Sequence, residues 1–230
     1  IDGDWVKARG TTLGADNGIG MASALAVLAD DSVEHGPLEV LLTMTEETGM
    51  DGAFGLQPNW LQGDILINTD SEEEGEIYMG CAGGIDFPSN LALTREAIPA
   101  GFQSFKVTLK GLKGGHSGGD IHLGLGNANK LLARFLVAHA AELDLRLVDF
   151  TGGTLRNAIP REAFAAIAVP ADKVDALKGL VETYLHILQN ELSAKEKNLT
   201  LVLEANTVEG KALTTASRDA FIQLLNATPN

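Results

Sequence analysis

The chain has 230 residues, 45% of them hydrophobic and 21% charged, with a mean hydropathy of +0.07, a composition that buries a core and excludes a disordered chain. Lys and Arg number 17 against 31 Asp and Glu, a net charge of −14 at pH 7. That field repels phosphate backbones and anionic lipid, so it argues against nucleic-acid and membrane partners. The single cysteine, Cys81, excludes an intrachain disulfide and suits a reducing compartment, which points to the cytoplasm.

No apolar run approaches the ~20 residues of a membrane-spanning helix. The turn chemistry of Thr11 to Gly18 feeds an apolar helix through Ile19, Met21, Leu25 and Leu28. Gly36-Pro37 breaks the chain, and Leu38 to Met44 is the near-continuous apolar run of a buried strand. A broken helical stretch with Phe54, Leu56 and Leu61 precedes a second such run, Asp64 to Asp70. Strand, crossover and strand at this spacing predict a parallel pair. Cys81 reads as a small buried residue.

From about residue 88 the order is clearer. Phe102 to Leu109 alternates Phe105, Val107 and Leu109 on one face, and Asn127 caps a helix carrying Leu131, Leu132, Phe135 and Leu136. Leu145 to Phe150 and Ala163 to Val169 read as strands, Val174 to Leu192 as a helix, and Leu199 to Leu203 as a strand. The order βαββαβ is the ferredoxin-like split motif. A further helix is predicted over Leu213 to Leu225. The fold class is therefore α/β, with a largely parallel sheet in 1–87 followed by a ferredoxin-like domain in 88–230.

Asp16 lies just before a helix, while Glu46, Glu47 and Asp70 follow the ends of the two apolar runs. In an open α/β sheet those positions meet at the carboxyl edge, where ligands bind. Four carboxylates so placed repel one another unless a cation joins them. Glu46 and Glu47, being adjacent, are able to divide the labour between ligation and proton transfer. The plainer readings stay open: Asp16 as a helix cap, Glu46-Glu47 as a solvated loop pair, and Asp70 as the start of the acidic surface run through Glu74.

Thr12-Leu13-Gly14-Ala15-Asp16-Asn17-Gly18, Thr45-Glu46-Glu47-Thr48-Gly49 and Asn68-Thr69-Asp70-Ser71 resemble three metal-site motifs of the co-catalytic zinc peptidase and deacylase family, which includes aminoacylase, carboxypeptidase G and carnosinase. Gly114-Gly115-His116-Ser117-Gly118 and Gly152 to Pro160 resemble the two signatures of its lid domain. The resemblance runs along essentially the whole chain. It implies two zinc ions, replaceable by Co²⁺ or Mn²⁺, with Asp16 bridging them, Glu47 and Asp70 each on one ion, and Glu46 as general base. It further implies that His116 steadies the carbonyl oxygen in the transition state and that Asn157 receives the substrate's terminal carboxylate. The implied substrates are unblocked dipeptides, Xaa-His favoured, and the implied assembly is a homodimer through the lid.

The same family has a His-x-Asp motif upstream of the bridging aspartate and a histidine far downstream. Nothing before Asp16 reads His-x-Asp, no histidine follows His186, and the first residue is Ile1 rather than Met. The expectation is a piece of a chain about twice as long, with weak zinc binding and no activity by itself. A tripeptidase or N-acyl amino-acid deacylase would share the metal core. A non-catalytic binding or dimerisation module is the reading from another class. Mg²⁺-dependent phosphoryl transfer is weakened by the lack of a Gly-x-x-x-x-Gly-Lys-Ser/Thr loop.

Overall fold

The computed structural model describes every residue except 2, 5, 10–13, 15, 72, 82 and 209. The chain divides into two compact units, Ile1–Asp86 and Phe87–Asn230.

In the first unit, α1 (Gly18–Ala29) begins where Asn17 accepts a hydrogen bond from the Gly20 amide, and α2 (Asp51–Phe54) is a single turn after Met50. The helix expected after Gly18 is present. The parallel pair is not: among the described residues of 1–86 no strand ladder forms. Ile65, Leu66 and Ile67 are 84%, 83% and 78% exposed, and Leu38, Leu41, Leu42 and Met44 also face solvent. The physical reason is that a strand exists only by lateral pairing. Runs this apolar suit a sheet covered on both faces, and no neighbouring strand accompanies them among the described residues. Cys81 is exposed as well, contrary to the packing role expected of it.

The second unit holds the core. Its principal strands and helices follow in the order β2 (Phe102–Lys110), α3 (Ala128–His139), β4 (Arg146–Gly152), β6 (Ala163–Pro170), α4 (Val174–Glu191) and β7 (Thr200–Ala205). The strands form one sheet in the order β4-β6-β2-β7, and every neighbouring pair is antiparallel. This is the βαββαβ arrangement read from the alternation. Short elements complete the unit: β1 (Arg95–Ala97) pairs with β8 (Lys211–Leu213), β3 (Gly115–His116) with β5 (Ala158–Ile159), and α5 (Thr215–Ala227) follows Thr214, whose side chain caps it.

Register explains the core. Phe105, Val107 and Leu109 stand opposite Ile167, Ala165 and Ala163 on β6, and Val107 and Leu109 opposite Leu203 and Leu201 on β7. One face of the sheet is thereby a continuous apolar surface. Leu132, Phe135 and Leu136 of α3 and Leu177, Val181, Tyr184 and Leu188 of α4 join that core at helical spacing. The opposite face carries Lys106, its ammonium 4.6 Å from the Phe164 ring centre. Arg218 of α5 is buried and donates to the carbonyls of Ala140 and Leu145, closing the carboxyl end of α3. Among the described residues no helix is long and apolar enough to cross a membrane.

Candidate functional site

The metal-motif carboxylates lie in the first unit, and local hydrogen bonds account for their approach. The Asn17 side chain does two jobs: its oxygen caps α1 by accepting from the Gly20 amide at 2.8 Å, and its amide donates to the Thr69 carbonyl at 2.5 Å. Gly20 permits this, because a Cβ there would stand 2.4 Å from Thr69 Oγ1. The turn carrying Asp16 is thus tied to the segment carrying Asp70, whose amide donates to Asn68 Oδ1. Thr12, Leu13 and Ala15 of the first motif lie outside the described residues.

Glu46 and Glu47 sit in a tight loop closed on Thr45. The carbonyl of Thr45 accepts from the amides of Thr48, Gly49 and Met50, and its hydroxyl takes the amide of Asp51. Glu46 is open to solvent, yet its carboxyl is held above the ordinary carboxylate range. Partial desolvation leads, followed by the like charges of Glu47, Asp70 and Asp16. All three sequence-selected carboxylates are therefore within electrostatic reach of Glu46.

That cluster fits a divalent cation in charge and donor type, since it concentrates negative charge and offers oxygen ligands. It does not fit in number. Among the described residues no group of three His, Cys, Asp or Glu side chains is placed to hold one ion, and no imidazole accompanies the carboxylates. Zinc favours nitrogen and sulfur donors, so this set by itself is an incomplete zinc shell.

The lid signatures lie in the second unit, about 40 residues apart in sequence, and a two-residue ladder brings them together. Gly115 pairs with Ile159 and His116 with Ala158, and the Ser117 amide donates to the Asn157 carbonyl at 2.8 Å. His116 and Asn157 are consequently neighbours. His116 is exposed, and its Nδ1 faces the amides of Gly118 and Gly119 at 3.1 and 3.0 Å. Two N–H groups aimed at one ring nitrogen make that nitrogen an acceptor, so the ring hydrogen of neutral His116 resides on Nε2. The ring then presents a donor outward. Asp120 Oδ2 accepts the His116 amide at 2.8 Å and fixes the backbone beneath it.

Sequence reasoning missed the supports. Asn17 reads in the sequence only as part of a motif, although its amide joins two of the loops. Asp120 has no pattern that marks it. Glu196 stands between Lys195 and Lys197, which reads as solvated surface, yet it is 3% exposed and accepts the amides of Lys113 and Gly126.

Residues 107–196, from the middle of β2 to the turn after α4, match the peptidase dimerisation domain of the M20 type. The match agrees with the resemblance carried by Gly114 to Gly118 and Gly152 to Pro160, which lie inside it. Over its whole length it is 80% identical to the cytosol non-specific dipeptidase of Escherichia coli (strain K12), of which it covers 47%. It is also 58% identical to the aminoacylhistidine dipeptidase of Vibrio alginolyticus, with a TM-score of 0.71 over all of this chain and 47% of that crystal structure. The chain spans about half the length of the relatives it matches.

Proposed function

We propose that the full-length protein containing this chain is a cytoplasmic, metal-dependent dipeptidase acting on unblocked dipeptides, Xaa-His among them. Residues 1–87 belong to its catalytic domain, and 88–230 form a lid through which it dimerises. The observation that carries this reading is the raised carboxyl of Glu46, set among the charges of Asp16, Glu47 and Asp70. A solvated Glu46-Glu47 loop pair would have no reason to collect two further carboxylates, Asp16 and Asp70, from separate segments.

In this reading Asp16, Glu47 and Asp70 would contribute oxygen donors to a divalent metal pair, Zn²⁺ or Co²⁺ or Mn²⁺, with the remaining donors from outside this chain. Such ions would supply the positive charge that polarises a scissile carbonyl and acidifies water. Glu46 accepts the proton of the attacking water and returns it to the leaving amine, and a raised carboxyl is the stronger base for the first of these tasks. His116, with its hydrogen on Nε2, donates to the carbonyl oxygen as negative charge develops there. Asn157, beside it on the paired loops, receives the substrate's terminal carboxylate.

The test uses the full-length reading frame with and without Glu46→Ala, assayed on a panel of Xaa-His and other dipeptides beside metal analysis. The expected result is loss of turnover with metal retained. Turnover that survives the substitution would remove Glu46 as the base. A metal-bearing dimer without activity on any dipeptide would leave a binding module instead.

A further inference from the structure

We propose that Glu196 is the positioning residue of the His116 loop, its carboxylate clamping both ends of the segment that carries the histidine. This rests on the role given to His116 above. The chain leaves β2 at Lys110 and enters α3 after Asn127, and everything between is loop apart from the short β3 pairing and a turn of 3-10 helix at Ile121–Leu123. Glu196 Oε2 accepts the Lys113 amide at 2.8 Å, just before Gly114, and Oε1 accepts the Gly126 amide at 2.8 Å, just before the helix cap.

The carboxylate is held where it can do this. The Glu196 amide donates to the Leu192 carbonyl at 2.8 Å, so the residue hangs from the end of α4. Leu112, 2% exposed, lies against Gly126. A Cβ on Gly126 would come within 2.8 Å of Leu112 Cδ2, so a side chain there would force Leu112 or the loop backbone to shift. Lys195 adds a third fastening by donating to the Leu123 carbonyl.

The choice of residue type follows from the geometry. Two backbone amides converge on one side chain, and a carboxylate answers both because it has two acceptor oxygens and no donor. Glutamine, of the same shape, has one acceptor, and its NH₂ would face the second amide, leaving that amide without an acceptor in a buried place. Taking a carboxylate out of water carries a large desolvation cost; here it is set against two charge-assisted hydrogen bonds. What the clamp controls is the register of Gly115 and His116 against Ala158 and Ile159, and with it the Nδ1 contacts that leave the His116 hydrogen on Nε2.

The experiment is a double-mutant cycle in the full-length protein with Glu196→Gln and His116→Ala, read as kcat and KM on an Xaa-His dipeptide. Glu196→Gln is expected to lower kcat roughly ten- to hundredfold with KM little changed, as for a displaced catalytic group. In the His116→Ala background it should have no further effect. Glu196→Asp, which keeps both acceptors, should recover part of the loss, and Gly126→Ala should reproduce it from the other side of the contact. Exchange of the Lys113 and Gly126 amides, followed by NMR on the 230-residue chain, should quicken in Glu196→Gln. Equal loss with and without His116 would make Glu196 merely structural and overturn the proposal, as would an unchanged kcat in Glu196→Gln when His116→Ala is impaired. A kcat untouched by His116→Ala would instead remove the reading of His116, and the role of Glu196 with it.

Discussion

Asn17→Ala isolates the contact that sets Asp16 beside Asp70. The substitution removes the side-chain cap of α1 and the hydrogen bond to the Thr69 carbonyl together. A lost N-cap costs about 1 kcal/mol. The second bond is solvent-exposed and belongs at the low end of the net range, about 0.5–1 kcal/mol. The combined loss of about 1.5–2 kcal/mol is a factor of roughly 10–30 in the ratio of tied to untied forms. If Asp16 and Asp70 raise the Glu46 carboxyl because this tie holds them near it, releasing the tie should let that carboxyl fall toward its usual range. The assay is carbon-detected NMR titration of the Glu46 carboxyl in the 230-residue chain, beside exchange of the Gly20 amide. Faster exchange at Gly20 with an unchanged Glu46 titration would show that the tie does not gather the carboxylates. Gly20→Ala, whose Cβ has no room beside Thr69 Oγ1, should act in the same direction with the asparagine intact.

Arg218→Met strips a donor from the Ala140 and Leu145 carbonyls and should destabilise the second unit by about 2–4 kcal/mol; the check is the urea midpoint followed by helical circular dichroism. Tyr184 is buried and donates to the Leu131 carbonyl while accepting from Arg134. Burial raises its phenol above the usual value, against the opposing pull of Arg134. A raised pKa means the folded second unit prefers the protonated form. Stability from this residue is then full below the unfolded value of about 10 and is lost as pH climbs through the folded one. Tyr184→Phe should cost about 1 kcal/mol at neutral pH and flatten the loss of stability above pH ~10; an unchanged alkaline slope would assign that slope elsewhere. Calorimetric titration of the 230-residue chain with zinc should give weak binding, since the carboxylates lack imidazole partners. Tight uptake of two ions would show that the ligand set is misassigned.

Legibility in the sequence followed from how local each cause is. The strand β2 was readable because one buried face imposes alternation on Phe105, Val107 and Leu109, and its neighbours obey the same rule. The apolar runs at Leu38 and Asp64 have strand composition, but composition sets a propensity and pairing sets the strand. Without a partner those side chains are exposed. The ladder joining His116 to Ala158 is two residues long, too short to leave a period, so the meeting of the two lid motifs could be reached only through resemblance.

The same contrast separates chemical groups from the groups that hold them. Few side chains ligate a cation or move a proton near neutral pH, so Glu46 and Glu47 could be picked out by type and placement, whereas His116 is reached through resemblance. A support has no such signature, because any acceptor in the right place will do. Glu196 illustrates this: flanked by Lys195 and Lys197, it has the local sequence of a surface residue and the environment of a core one. Its carboxylate is held by the amides of Lys113 and Gly126, which lie far away in the chain. The position of a catalytic group therefore depends on contacts whose sequence cost is a single unremarkable residue, and substitutions at such residues are expected to change rate before they change fold.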